Sequence, residues 1–197
     1  MINFKYVDDL ELNKDDHDKK FIKEIIEIDK KVYPDNLQGK FNEVYARFRA
    51  NRDMFVLLYD DKKLIVYLCL FPINDSLYET ISSENKLFDS DISCKMIEQY
   101  KSYNVYKLYL ISMVIIPEYQ KKGLSKFLIK GFYKYILDKK KRNILFSKIL
   151  SSAVTNDGKL MLKRMGFKKK KDLPGGFTLN ELIINDSVYE IAERNYE

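Results

Sequence analysis

Hydrophobic residues recur along the chain at two spacings, and these spacings predict a mixture of helices and strands. Apolar side chains three and four positions apart form one face of an amphipathic helix. This spacing occurs in four segments: 21–32, 41–48, 124–136 and 156–165. Seven further runs have the length and residue types of strands: 2–7, 54–59, 64–71, 105–116, 144–150, 167–171 and 177–183.

Prolines mark the ends of three of these predicted elements. Proline lacks a backbone N–H group and ends helices and central strands. Pro34 should end the first helix, Pro72 should close the strand 64–71, and Pro117 should end the strand 105–116.

The stretch 73–103 has a weaker pattern than the rest of the chain. Four apolar residues predict a short helix that follows Ser90 or Asp91 as its N-cap: Ile92, Met96, Ile97 and Tyr100. The stretch is longer than a usual connection between two strands. It could form a lid or a packing insert, and the pattern does not choose between them.

A strand, a turn with a glycine and a helix follow one another in residues 105–136. The first N–H groups of a helix have no partner within the helix, and the helix dipole adds partial positive charge there. Such a turn binds phosphate when the backbone can come close to the anion, which Gly123 permits. Lys121 and Lys122 add positive charge beside it. The expected ligand therefore carries phosphates.

Residues 115–125, which read IIPEYQKKGLS, narrow the choice of ligand. The patterns GxxxxGK[ST] and GxGxxG of other phosphate-binding folds are absent from the chain. The segment resembles the acetyl-CoA signature of the GCN5-related N-acetyltransferases (GNAT), (V/I)-x-P-x-x-(Q/R)-x-x-G-x-(G/A). Ser125 departs from the glycine or alanine that is usual at the last position. The alternative is that Gly123 only turns the chain between a core strand and a core helix.

The resemblance implies an α/β fold of the GNAT type in a single domain over residues 1–197. A chain of 197 residues is long enough to bury one core. Relatives have one central, mostly antiparallel mixed sheet of six or seven strands with helices on both faces. Their fourth strand, here 105–116, splays from the fifth.

The implied function is an N-acetyltransferase. It would move an acetyl group from acetyl-CoA to a primary amine by direct attack in a ternary complex, with no metal. A noncatalytic acyl-CoA-binding or regulatory module on the same fold is the alternative. The implied cofactor-binding residues lie in the strand end, the turn and a later helix: Met113, Val114, Ile115, Gln120, Lys121, Lys122, Gly123, Leu124, Ser125 and Asn156.

The general acid and base do not follow from the resemblance. Many relatives have a tyrosine in N-x-x-A-x-x-L-Y-x-x-x-G-F that acts as the general acid and protonates the leaving thiolate. Aligning on Gly166-Phe167 puts Leu162 at the position of this tyrosine. Ser112 and Tyr109 are the candidate catalytic residues, because they lie in the fourth strand where relatives place a base or a water-holding residue. They are an odd number of positions apart, so regular alternation would point them to opposite faces.

Charge is unevenly divided along the chain, whose net charge is +6. Residues 1–100 hold 15 Lys/Arg against 20 Asp/Glu, and residues 101–197 hold 20 against 9. The basic half suits the phosphates of coenzyme A, and would also suit nucleic acid, for which no recognised motif is present. The acidic half favours a cationic amine, either a small molecule or a peptide. By family layout its pocket would include the loop 33–40, with Asp35, and residues from 73–103.

The cysteines, the histidine and the length of the apolar runs argue against several other classes of protein. Cys69, Cys94 and the single His17 form neither a disulfide framework nor a zinc or triad pattern. No apolar run reaches the length of a membrane span, and the first residues lack the features of a signal peptide. We therefore expect a cytoplasmic protein without membrane contact, and a homodimer is left open.

Overall fold

The computed structural model describes residues 2–10, 15–89 and 91–196, and these contain a seven-stranded sheet. The strands are β1 Ile2–Tyr6, β2 Phe55–Asp60, β3 Lys63–Ile73, β4 Asn104–Ile115, β5 Ile144–Ala153, β6 Lys168–Leu173 and β7 Phe177–Ile183. Their order is β1-β2-β3-β4-β5-β7-β6, with β4 and β5 parallel and every other neighbouring pair antiparallel. The predicted mixed, mostly antiparallel sheet is confirmed.

Helices cover both faces of this sheet. They are α1 Asp15–Val32, α2 Phe41–Ala50, α3 Asp75–Ser83, α4 Ser125–Lys141, α5 Asn156–Arg164 and α6 Asp186–Tyr196. In β2 the ring of Phe55 packs edge-on against Phe21 of α1, with centroids 5.3 Å apart. The adjacent Val56 borders Gly131 of α4 instead. Because successive strand residues point to opposite faces, α1 and α4 lie on opposite sides of the sheet.

The gap between β4 and β5 is the feature of the sheet that positions the site. The two strands pair from Asn104 and Ile144 up to Leu110 and Ser151, and no pair between them follows in the described part of either strand. The Oγ of Ser151 donates a hydrogen bond to the Leu110 carbonyl, at 2.8 Å, where the ladder stops. Beyond that point β4 continues to Ile115 paired only with β3. The strands therefore splay, as the resemblance predicted.

A β-bulge lies at the same place. Leu70 of β3 pairs with Leu110, but its neighbour Cys69 pairs with Ser112, which leaves Ile111 as an extra residue in β4. An extra residue breaks the regular alternation of side chains and bends the strand. Because the bulge lies between Tyr109 and Ser112, the strict alternation that predicted opposite directions for these two side chains does not hold.

The predicted helix over Ile92–Tyr100 is wrong, and Ser90 lies outside the described residues. This stretch contains only a one-turn 3-10 helix, Cys94–Met96, and Ile97 forms an isolated bridge to Ile73 at the end of β3. Ile92 and Ile97 are buried by tertiary contact rather than by a helical face. The helix in the region is α3, whose N-cap Asn74 accepts a hydrogen bond from the Leu77 N–H group at 2.8 Å.

Other boundaries also differ from the prediction. Strand β3 runs through Pro72 to Ile73, and the Pro72 carbonyl still accepts a hydrogen bond from the Glu98 N–H group at 3.0 Å. The final helix α6 was not predicted. In the described part of the chain, no helix is both long enough and apolar enough to cross a membrane.

Candidate active site

The turn between β4 and α4 presents backbone to open space. Gly123 has a φ of +75° and Lys121 a φ of +60°, which is the left-handed region that favours glycine. A Cβ atom built on Gly123 would meet no atom within 4 Å. Helix α4 then begins without any side-chain cap, so its first N–H groups are available to a ligand. The Gln120 amide donates to the Ile115 carbonyl at 2.9 Å and ties the turn to the strand end.

A cavity of about 620 Å³ begins at this turn and continues through the gap between β4 and β5. Lys121 and Ser125 line its turn end, and Ser151 lines the gap. At its far end it reaches α1 and α2, where Tyr33 and Arg47 form part of the wall. One continuous space therefore joins the turn to the opposite, helical side of the site.

The predicted cofactor-binding residues divide into two groups. Five of them line the cavity: Met113, Ile115, Gln120, Lys121 and Ser125. The other five do not: Val114, Lys122, Gly123, Leu124 and Asn156. Val114 and Leu124 are buried in the core, and Asn156 is exposed at the start of α5, between the lining residues Thr155 and Asp157. Main-chain contacts, which Val114, Gly123 and Leu124 were expected to provide, do not require their side chains in the lining.

Ser112 lies at the centre of a cluster of hydroxyl groups in the cavity wall. Its Oγ is 3.0 Å from the Tyr33 hydroxyl and 3.1 Å from the Tyr67 hydroxyl, within hydrogen-bonding distance of both. The Tyr67 hydroxyl in turn donates to the carboxylate of Asp29 in α1. Helix α1, the loop after it, β3 and β4 therefore bring four polar side chains into one connected network.

Tyr109, the second candidate, has a structural role in the same wall. Its ring is 1% exposed, and its hydroxyl donates to the Phe88 carbonyl at 3.0 Å and lies 3.2 Å from the Ser152 Oγ. These bonds hold the segment after α3 against β5. Both Tyr109 and Ser112 line the cavity, because the bulge interrupts the alternation that would have separated them.

The segment 84–89 forms part of the cavity wall. Leu87, Phe88 and Asp89 line the cavity, as do Tyr33, Leu37 and Gly39 from the loop after α1. Both regions that the family layout assigned to the acceptor pocket are thus present in the wall. Asp35, the acidic residue singled out in that loop, is exposed and outside the lining.

Three charged residues at the helical end were not identified from the sequence. Asp29 and Asp89 line the cavity with Arg47, whose Nη1 is 3.3 Å from an Asp89 oxygen. The pattern does contain a signal for Asp29, because it lies four residues after Ile25 on the apolar face of α1. A carboxylate at a core position is unusual unless it is hydrogen-bonded.

Burial changes how these groups ionise. Loss of solvent raises the pKa of Asp29 to about 6, with a further rise from the nearby Asp89 and an opposing effect of the Tyr67 hydrogen bond. Burial likewise raises the pKa of Tyr33 to about 12 and that of Tyr67 well above its ordinary value. At neutral pH both tyrosines are therefore protonated, and Asp29 is the member of this network that titrates closest to neutrality.

Leu162, at the position of the family's acidic tyrosine, is completely buried and lies outside the lining. Helix α5 contributes other residues to the cavity, including Asp157 and Met161. Among the described residues no group of three His, Cys, Asp or Glu side chains has the arrangement of a metal site.

Comparison with known proteins gives a family match. A family model described as the acetyltransferase (GNAT) family matches residues 22–167. No curated protein matches the chain in sequence.

Solved structures give a match in fold. The loading GNATL domain of CurA from Lyngbya majuscula is similar with a TM-score of 0.64 at 14% identity, over 93% of this chain and 98% of that one. NAA60 from Arabidopsis thaliana, in complex with a bisubstrate analogue, gives 0.55 at 15% identity over 94% and 100%. The PaiA N-acetyltransferase from Thermoplasma acidophilum, in complex with coenzyme A, gives 0.53 at 14% over 93% and 99%.

Identities this low establish a common fold and nothing more specific. The family model carries the assignment, since it spans most of the chain, from within α1 to the residue before β6, and includes all of β4, β5 and the turn at Gly123. The chain therefore belongs to the GNAT family of acetyltransferases.

Proposed function

We propose that this protein transfers an acetyl group from acetyl-CoA to a primary amine by direct attack in a ternary complex. One observation carries the proposal. A single cavity connects the uncapped start of α4, through the gap between β4 and β5, to the hydroxyl cluster around Ser112. Its volume of about 620 Å³ is in the range of small-molecule sites, roughly 300–1,000 Å³.

The turn end of the cavity fits the phosphates of coenzyme A. Backbone N–H groups at the start of α4, open space in front of Gly123 and the side chain of Lys121 favour an anion there. PaiA was solved with coenzyme A and NAA60 also with acetyl-CoA, which supports the same cosubstrate here.

The gap fits the pantetheine arm and the thioester. Residues 111–115 of β4 have lost their β5 partner, so the backbone groups on that edge can pair with an extended ligand. A backbone N–H group aimed at the thioester carbonyl stabilises the oxyanion that forms on attack. Such a donor contributes about 3 kcal/mol where it has been measured in other enzymes.

The helical end fits an amine. Asp29 and Asp89 provide two carboxyl groups beside the cation of Arg47, and Ser112 offers an oxygen that can accept a hydrogen bond from the amine nitrogen. The acceptor is a small-molecule or peptide amine. The bisubstrate complexes of NAA60 and of Naa50, the latter with CoA-Ac-MVNAL, support the peptide alternative.

A noncatalytic acyl-CoA-binding module is the second candidate function. It is favoured by Leu162, which is fully buried and stands at the position of the general-acid tyrosine. A leucine side chain has no acidic proton to give to the leaving thiolate. Such a module would bind coenzyme A at the same turn without turnover.

Calorimetry and a thiol-release assay separate these functions. We expect saturable binding of coenzyme A, and release of free thiol from acetyl-CoA when an amine is added. The panel consists of n-hexylamine, spermidine and the peptide MVNAL with a free amino terminus. Binding without thiol release across the panel would favour the module, and absence of coenzyme A binding would remove both functions.

Replacing Ser112 by alanine tests the amine end directly. We expect Ser112→Ala to lower kcat by about 100-fold or more, since the hydroxyl that contacts both tyrosines, and that is proposed to contact the amine, is lost. Coenzyme A affinity should stay unchanged, because the turn is intact. Ser147→Ala is the matched control: this serine is also half-buried in a strand but lies outside the lining. Equal kcat values in the two variants would contradict the assignment.

A further inference from the structure

A polarised row of hydrogen bonds leads from the cavity to a buried carboxylate. Asp29 is 8% exposed and Tyr67 1% exposed. The Tyr67 hydroxyl donates its only proton to Asp29, so it can only accept from Ser112. Ser112 therefore donates towards Tyr67, and its oxygen remains free to accept from Tyr33 and from a ligand in the cavity. Every proton in the row points towards Asp29.

We propose that Asp29 is the terminal proton acceptor of the reaction, reached from the amine through Ser112 and Tyr67. This inference rests on the proposed acetyltransferase function and deepens it. It assigns to α1 a role that neither the signature in residues 115–125 nor the aligned position Leu162 provides.

The neutral amine attacks the thioester carbonyl carbon. The C–N bond forms as the π electrons of the carbonyl move to its oxygen, and the nitrogen becomes positively charged and acidic. Its proton passes to the Ser112 oxygen while the Ser112 proton moves to Tyr67 and the Tyr67 proton to Asp29. The electron pair on the oxyanion then re-forms the C=O bond, the C–S bond breaks, and sulfur leaves with the bonding pair as a thiolate. The products are the amide, the thiolate and protonated Asp29, which releases its proton before the next turnover.

Other members of the network are less suited to hold this proton. Tyr33 and Tyr67 are protonated at neutral pH because burial raises the pKa of each. Asp89 is paired with Arg47 at 3.3 Å. The charged and titratable groups around Asp29 come from β3, α2, the segment 84–89 and the loop after α1: Tyr67, Cys69, Arg47, Asp89 and Tyr33. A carboxyl whose pKa is about 6 is a carboxylate at neutral pH and a stronger base than an ordinary one.

Asp29→Asn and Tyr67→Phe test the inference, with acetyl-CoA and the fastest acceptor among n-hexylamine, spermidine and MVNAL. We expect each variant to lose about 100-fold or more in kcat/KM, and the double variant to lose little more than either, because both break one route. In the wild-type pH profile, kcat/KM should decline along an additional acid limb below a pH of about 6, because protonated Asp29 can no longer accept a proton. This limb should vanish in Asp29→Asn.

A second readout does not depend on turnover. In protein labelled with ¹³C at aspartate carboxyl carbons, one resonance should titrate with a midpoint near 6 and be absent from Asp29→Asn. Asp89→Asn should lower that midpoint, because the negative charge that raises the pKa of Asp29 is removed. Asp35→Asn, an exposed carboxylate outside the lining, should change neither the midpoint nor the rate.

Calorimetry of coenzyme A on every variant keeps the two ideas separate. Full affinity with loss of the limb supports the role of Asp29. A limb that persists in Asp29→Asn, or an Asp29 resonance that titrates near the ordinary value of about 3.9, overturns it while the acetyltransferase function stands. Loss of coenzyme A binding in the wild type would instead remove the proposed function.

Discussion

Gly123→Val is expected to weaken coenzyme A binding by about 100-fold or more. Two effects act together. The φ of +75° at Gly123 disfavours a β-branched residue by roughly 1–3 kcal/mol. The added side chain would also project into the open space in front of the turn, where the phosphates are proposed to lie. In the free protein the strain is relieved when the turn moves away from the conformation that would bind the phosphates. Since 1.4 kcal/mol corresponds to a factor of ten in affinity, this shift and the obstruction together are expected to reach two orders of magnitude.

The chain offers a close control for this variant. Gly176 has a φ of +76°, a Cβ atom built on it would meet no atom within 4 Å, and it lies in the turn between β6 and β7 rather than at the start of α4. Gly176→Val imposes the same backbone strain, so it should reduce stability by a similar amount but leave coenzyme A affinity unchanged. If calorimetry gave equal affinities for the two variants, the turn would not be the phosphate site.

Phe132→Ala is expected to produce a large loss of stability. Phe132 is 0% exposed and anchors α4 to the core, with its ring 6.0 Å from that of Phe167. Truncating a fully buried phenylalanine costs about 3–5 kcal/mol in the free energy of unfolding. For a chain of this size the midpoint of thermal unfolding should fall by about 6–20 °C. Calorimetric or circular-dichroism melting measures the shift.

Tyr103→Ala is the comparison variant, since Tyr103 is 85% exposed. Its removal should move the midpoint by no more than about 2 °C, because a surface substitution changes stability by roughly 0.5 kcal/mol or less. A similar shift in both variants would mean that burial does not decide the stability of this region.

Local pattern was enough to predict most of the fold. All seven predicted strands are present, and six of them agree with the observed bounds to within two residues at each end. The seventh, β5, extends three residues past its predicted end, to Ala153, because Ser151, Ser152 and Ala153 pair with β7. The family signature likewise led to the turn at Gly123, whose left-handed backbone is a local property of a few residues.

The errors fall where long-range contact overrides local pattern. Ile92 and Ile97 have helical spacing but are buried beside β3 without forming an α-helix. Alternation in β4 predicted opposite directions for Tyr109 and Ser112, and the bulge at Ile111 put both in the cavity wall. A bulge depends on the pairing of two strands, which no single stretch of sequence reveals.

The amino-acid sequence by itself determined the α/β class, the strand, turn and helix of residues 105–136, and the resemblance to the acetyltransferase family. These follow from periodicity, glycine and proline positions and a short motif, all of which act over a few neighbouring residues. Only the tertiary structure decided that Asp29, Tyr67 and Ser112 form one network. The physical reason is that they come from a helix and two strands far apart in the chain, and their contacts and the ionisation of Asp29 depend on shared burial.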